Sequence, residues 1–208
     1  MDGYVILGHA PELYRKVNGA AVRVRAISFT GLRGIRGTFP ASWGRLAQLE
    51  ELDLSGTGMG GEIPDEWNGM SSLRTIVISD TKACSGLPNW KEKSMPQLVS
   101  VDFSNNGMRG PLSRNFGTFS GRDMTLDISG NSFCGCVPPT WASSVLRDAA
   151  AAADPVLLQP NCGSINACNR KIYRCMYNDA AALATGSPLL VLFITVAISF
   201  ALVCASAV

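Results

Sequence analysis

Asp53, Asp102 and Asp127, with Ser55, Ser79, Ser104 and Ser129, are the side chains whose types and spacing could do chemistry. They recur in phase. Ser28, Asp53, Val77, Asp102 and Asp127 form one column, and Thr30, Ser55, Ser79, Ser104 and Ser129 form a second, two residues further on. Carboxylates and hydroxyls in such ladders suit a basic protein or a polar glycan; the plainer reading is a solvated face. Nucleophilic catalysis would have to recruit His9, the sole histidine, which sits in an irregular N-terminal stretch. The sequence contains no phosphate-binding loop, dinucleotide fingerprint or metal-ligand cluster. No catalytic residue, cofactor or metal site is therefore assigned, and the chain reads as a non-enzyme.

These columns need a scaffold that repeats with them, and the sequence supplies one. Glycines at 37, 61, 86, 110 and 135 step by 24, 25, 24 and 25 residues. Three of them open the same tooth: Gly37-x-Phe39-Pro40-x-x-Trp43, Gly61-x-Ile63-Pro64-x-x-Trp67 and Gly135-x-Val137-Pro138-x-x-Trp141. Between the teeth run Leu49-x-x-Leu52-x-Leu54, Leu73-x-x-Ile76-x-Ile78 and Leu98-x-x-Val101-x-Phe103. This is the leucine-rich repeat frame, with about five units between residues 22 and 141. Residues two apart on a strand share a face, so Leu52 and Leu54 turn inward while Asp53 and Ser55 turn out. Asn106 and Asn131 are expected to bond neighbouring backbone inside each turn, and Thr57 and Thr81 to do so less completely. The expected fold is a solenoid with parallel strands on its concave face, and the tryptophans are read as packing on the other side.

Seven cysteines are present, and Cys204 lies in the apolar tail. A C-x-C pair closing a repeat array, with two later cysteines, is the usual layout of a disulfide-tied cap over the apolar end. Cys134, Cys136, Cys162 and Cys168 are accordingly expected as two disulfides. The pairing 134–162 with 136–168 is favoured, although spacing does not fix connectivity. Cys84 and Cys175 are left paired or free, and a zinc site is the rival reading. Disulfides imply an oxidising secretory compartment. The net charge of +2 implies no strong electrostatic partner. Neither Arg23, Arg25, Arg33 and Arg36 nor Arg170, Lys171 and Arg174 alternate with aromatics as in nucleic-acid binding.

Residues 189–208 carry no charge over 20 positions, enough to cross a bilayer. Small residues after Asn178, a spacer at 179–188 and this run fit a glycolipid (GPI) attachment signal with Asn178 as the attachment point. A retained transmembrane helix is the alternative. Residues 1–21 read as an irregular segment without a signal peptide, as in a truncated product. Residues 142–178 form the cysteine-containing cap, with a short helix or loop at 149–153.

The "L-x-L-S-G-T" units, the "FCGCVPPTW" closure, the late cysteines and the tail resemble the promastigote surface antigen family of trypanosomatid parasites. That resemblance implies a glycolipid-anchored or secreted surface protein, on the outer leaflet of the plasma membrane, meeting host proteins. The same repeat type occurs in plant receptor ectodomains. An intracellular or membrane-spanning scaffold, or a non-functional copy, is the competing reading.

Overall fold

The alternation at Glu51–Asp53 sets the architecture: Leu52 is buried to 1%, while its two neighbours face outward. The computed structural model describes residues 5–6, 24–169 and 175. In chain order the strands are β1 (Val5–Ile6), β2 (Ala26–Ser28), β3 (Ile35–Thr38), β4 (Glu51–Asp53), β5 (Gly58–Glu62), β6 (Thr75–Val77), β7 (Lys82–Ser85), β8 (Ser100–Asp102), β9 (Gly107–Pro111), β10 (Thr125–Asp127) and β11 (Ser132–Cys134). Two helices follow, α1 (Ser144–Ala153) and α2 (Cys162–Ile165). The even strands form one parallel sheet in the order β2-β4-β6-β8-β10, and the odd strands form an outer sheet from β1 to β11.

A single apolar core runs between the sheets. It takes Leu52, Ile76 and Val101 from the even strands and Met59, Ala83, Met108 and Phe133 from the odd ones. The tooth glycines allow the bend beyond the outer strands. Gly61 has φ +90 and Gly135 φ +80, a region that a Cβ disfavours. In the shorter tooth at Gly86-x-Pro88-x-Trp90, Ser85 takes that conformation instead, at φ +72. After the proline the chain winds into short 3-10 turns, Ala41–Arg45 and Asp65–Gly69. Each turn buries its tryptophan, and Trp43 and Trp67 stack nearly parallel at 6.0 Å.

The asparagines tie the rungs as expected. The Asn131 amide donates to the carbonyls of Phe103 and Ile128 at 2.8 and 3.0 Å, and its oxygen accepts from the Met108 N–H at 3.0 Å. Thr57, in the equivalent place, reaches only the Leu54 carbonyl of its own unit, at 2.8 Å.

The cap is built on an antiparallel return, and this corrects the expected disulfide pairing. The Val137 N–H donates to the Leu157 carbonyl at 3.0 Å, and the Gly135 N–H to the Asn166 carbonyl at 2.7 Å. As the strand descends in number the cap ascends, so the earlier cap cysteine meets the later member of the C-x-C pair. The bonds are Cys136–Cys162 and Cys134–Cys168, with Cα separations of 5.2 and 5.3 Å. Cys84 and Cys175, left open by the sequence, form a third bond. None of the six therefore remains as a thiolate for zinc. Helix α1 covers residues 144–153, starting at Ser143, whose hydroxyl accepts from the Leu146 N–H at 3.4 Å, and it buries Leu146, Ala149 and Ala150 over the last rung.

Candidate functional site

The five strands of the even sheet stand in matched register, so side chains of equal phase line up across it. Ser28, Asp53, Val77, Asp102 and Asp127 are mutual partners along one row. Ala26, Glu51, Thr75, Ser100 and Thr125 form a second outward row. Neighbouring rungs in a sheet are ~4.8 Å apart, so five rungs present a strip ~20 Å long. The second row escaped the sequence reading, although its signal was available: each member lies two residues before an Asp-row member and so shares its face. Thr125 and Ser100 are linked across rungs by a 3.0 Å hydroxyl bond.

The serine column behaves differently from expectation. Ser79 and Ser104 are buried rather than outward. Beyond each strand the chain enters a left-handed residue, Asp80 at φ +53 and Asn105 at φ +54, which turns it down into the stack. The Ser79 carbonyl then accepts from the Gly56 N–H and the Ser104 carbonyl from the Asp80 N–H, at 2.9 and 3.2 Å. These two serines cannot offer hydroxyls to a ligand. Ser55 and Ser129 are half-buried, and the Asp row keeps its outward position.

The carboxylates are not equivalent. Asp53 accepts from the Thr30 hydroxyl at 2.8 Å on one oxygen, and from the Ser55 N–H and hydroxyl at 2.9 and 2.6 Å on the other. Partial burial pushes its pKa up, but the Ser55 hydroxyl and N–H and the Thr30 hydroxyl outweigh this and hold it below the ordinary value. Asp102 and Asp127 each accept the N–H two residues on, from Ser104 and Ser129, both at 2.9 Å. They are direct partners on adjacent strands, so two like charges stand side by side. No basic residue occupies either outward row. Arg25 is engaged with Glu50 at 3.1 Å, on the exposed rim.

The tryptophans are structural. Trp67 and Trp90 are fully buried and donate to the Pro40 and Pro64 carbonyls at 2.8 and 3.1 Å, leaving no ring face for a sugar. His9, Asn178 and the 189–208 tail lie outside the described residues, as do Arg23, Arg170, Lys171 and Arg174. Among the described residues no helix is long and apolar enough to cross a membrane.

The Leucine Rich Repeat family model matches residues 48–70. Among curated proteins, MDIS1-interacting receptor like kinase 1 of Arabidopsis thaliana is 37% identical over 87 residues, covering 42% of this chain and 8% of that protein. Receptor-like protein 7 of the same plant is 32% identical over 103 residues, covering 48% and 10%. The chain thus spans about a tenth of the length of the curated relatives it matches. The solved BIR3–SERK2 complex from Arabidopsis thaliana aligns with a TM-score of 0.51 at 23% identity, over 57% of this chain and 62% of that one, and speaks to the fold alone. A plant ice-binding protein aligns with the same TM-score at 28% identity, over 57% and 37%. These relatives are plant proteins, and the likeness to the trypanosomatid surface antigens is carried by the sequence motifs alone. Repeat match, parallel rungs and disulfides agree on a leucine-rich repeat array similar to those of plant receptor-like proteins.

Proposed function

We propose that this chain is a non-catalytic recognition module whose even-strand sheet receives a protein or peptide partner. The observation that carries this reading is the register. Five rungs align two outward rows of acids and hydroxyls, with Glu51, Asp53, Asp102 and Asp127 as the only charges. A partner bringing Lys or Arg side chains gains charge complementarity and meets hydroxyls on adjacent rungs. Relatives named as receptor-like proteins support the same class, and one is named for its interaction with a protein, MDIS1. A polar glycan is the other ligand that hydroxyl ladders would suit. The names of the receptor-like relatives and the three disulfides support a cell-surface setting, with Asn178 proposed as the site of a glycolipid anchor. The host-contact role rests on the motif resemblance alone.

Selection from a random peptide display library on the immobilised protein tests the proposal. Enriched peptides should be basic. They should bind Asp102→Lys or Asp127→Lys at least about tenfold more weakly, a loss of about 1.4 kcal/mol. Asp53→Asn and the outer-sheet change Lys82→Glu should leave binding unchanged. Peptides that ignore the Asp102 and Asp127 changes but respond to Lys82→Glu would overturn the assignment of this face. For the anchor, a tagged protein on intact cells should be released by phosphatidylinositol-specific phospholipase; retention with Val208 still present refutes it.

A further inference from the structure

Asparagine followed by glycine is chemically labile, because glycine has no side chain to shield its backbone nitrogen. The chain contains three such pairs, Asn18–Gly19, Asn68–Gly69 and Asn106–Gly107, and the first lies outside the described residues. In the reaction the glycine nitrogen attacks the asparagine Cγ. A new N–Cγ bond closes a five-membered imide, the Cγ–Nδ2 bond breaks, and ammonia leaves carrying the glycine proton. Water then opens the imide at either carbonyl, giving aspartate or isoaspartate. Water is the sole co-reactant, so the folded chain sets the rate by how firmly it holds each side chain.

The two described pairs differ in that respect. Asn106 is held at both ends: its amide donates to the carbonyls of Ile78, Phe103 and Ser104, and its oxygen accepts from the N–H and hydroxyl of Thr81. Gly107 opens strand β9 and is paired with Cys84 on β7. Attack there requires the side chain to leave every one of these bonds. Asn68 has a single side-chain bond, its Oδ1 accepting the Lys91 N–H at 3.1 Å, and its amide donates to nothing among the described residues. It lies in the last part of the 3-10 turn Asp65–Gly69, half-buried, and Gly69 is exposed. Turn ends open at little cost, whereas core ladders do not.

Isoaspartate does not fit where it would form. Gly69 is packed against the preceding unit, so closely that an added Cβ would stand 2.5 Å from the Gly44 carbonyl oxygen. Isoaspartate routes the main chain through the side-chain carbon, which inserts a methylene directly before Gly69 and overfills the contact. Aspartate lengthens nothing, and its carboxylate can still accept the Lys91 N–H. The same two turns carry the Trp43–Trp67 stack at 6.0 Å. We propose that Asn68 is a spontaneous deamidation site, and that its isoaspartyl product loosens the junction between the first two tooth turns.

Ageing the full disulfide-bonded chain at near-neutral pH, followed by peptide mass mapping, tests this. Asn68 should convert at least about tenfold faster than Asn106, which the fold protects. In urea, where both pairs share the same local chemistry, the ratio should fall to about one. Aged protein should melt about 2–4 °C lower than fresh protein. Isoaspartyl methyltransferase, which returns isoaspartate towards aspartate, should restore the melting temperature. Asn68→Gln, whose longer side chain closes the ring far more slowly, should keep its melting temperature through the same ageing. If Asn68→Gln does not fold, Asn68→Ser takes its place. Equal conversion at Asn68 and Asn106 in the folded protein, a ratio unchanged by urea, or aged protein whose melting temperature does not fall overturns the proposal.

Discussion

Asn106 offers the sharpest test of how one unit holds the next. Its amide nitrogen donates to the carbonyls of Ile78, Phe103 and Ser104, and its oxygen accepts from the N–H and hydroxyl of Thr81. Asn106→Ala removes all five contacts. At about 1 kcal/mol net for each bond, the sum would be ~5 kcal/mol. Three of the bonds share two amide hydrogens, and the site is only half-buried, so water can serve some of the abandoned groups. The expected loss is about 3 kcal/mol. Asn106→Thr should recover about 1 kcal/mol of it, because a hydroxyl there can still reach its own unit's carbonyl, as Thr57 does at 2.8 Å. Urea unfolding of the oxidised protein measures both. With an m-value of ~2 kcal/mol/M, the midpoint of the alanine variant should fall by about 1.5 M with the slope unchanged. A loss below about 1 kcal/mol, or a threonine variant no better than alanine, would refute the view that this side chain is a bridge between rungs.

Gly44 lies so close to the next turn that an added Cβ would stand 2.1 Å from the Glu66 carbonyl oxygen, so Gly44→Ala should cost about 2–3 kcal/mol in thermal unfolding. Gly121→Ala, where nothing lies within 4 Å, should change stability by less than about 0.5 kcal/mol. A non-reducing peptide map should return Cys134–Cys168, Cys136–Cys162 and Cys84–Cys175; recovery of a 134–162 bond would contradict the antiparallel return. Replacing both Cys84 and Cys175 with serine opens a closure spanning 91 residues and should lower unfolding free energy by up to about 4–5 kcal/mol. The depressed pKa of Asp53 means its stabilising share is present above its unfolded pKa of about 3.9 and is lost as pH falls through the folded value. Asp53→Asn should therefore flatten the fall in stability below about pH 4, read by denaturant midpoints across that range.

What was legible in the sequence was whatever obeys a short-range rule. The alternation of Leu52 and Leu54 with Asp53 and Ser55, the glycine-proline teeth and the bridging asparagines depend on spacing within one unit, and the structure places them as expected. The disulfide pairing depends on the direction in which the cap returns past β11, which no spacing encodes. Cys84 and Cys175 are 91 residues apart, and only the folded path brings them together. Ser79 and Ser104 misled because strand alternation was extended past the strand ends. Left-handed Asp80 and Asn105 break the alternation there, and neither is a glycine that would have announced the turn. The second outward row was missed for the opposite reason: Thr75, Ser100 and Thr125 vary enough in type to hide a phase that the acid row displays.

The same bonds that stack the units also decide which part of the proposed binding face has capacity to spare. Interior asparagines, buried indoles and the outer sheet carry the repeat-to-repeat connections, so the outward rows are released from that work. At the first two rungs this freedom is already spent: Ser28, Thr30, Asp53 and Ser55 form one connected network, and both Asp53 oxygens accept within it. Further along, Asp102 and Asp127 each receive one N–H on one oxygen, and Val77 separates them from the closed network. Their mutual repulsion is relieved by a cation, which the outward rows themselves do not contain. A basic group from a partner would relieve it and find the Ser100 and Thr125 hydroxyls on the same rungs. The face is thus graded, self-satisfied near Asp53 and receptive near the cap, which is why substitution at Asp102 or Asp127 should weaken a basic ligand while Asp53→Asn should not.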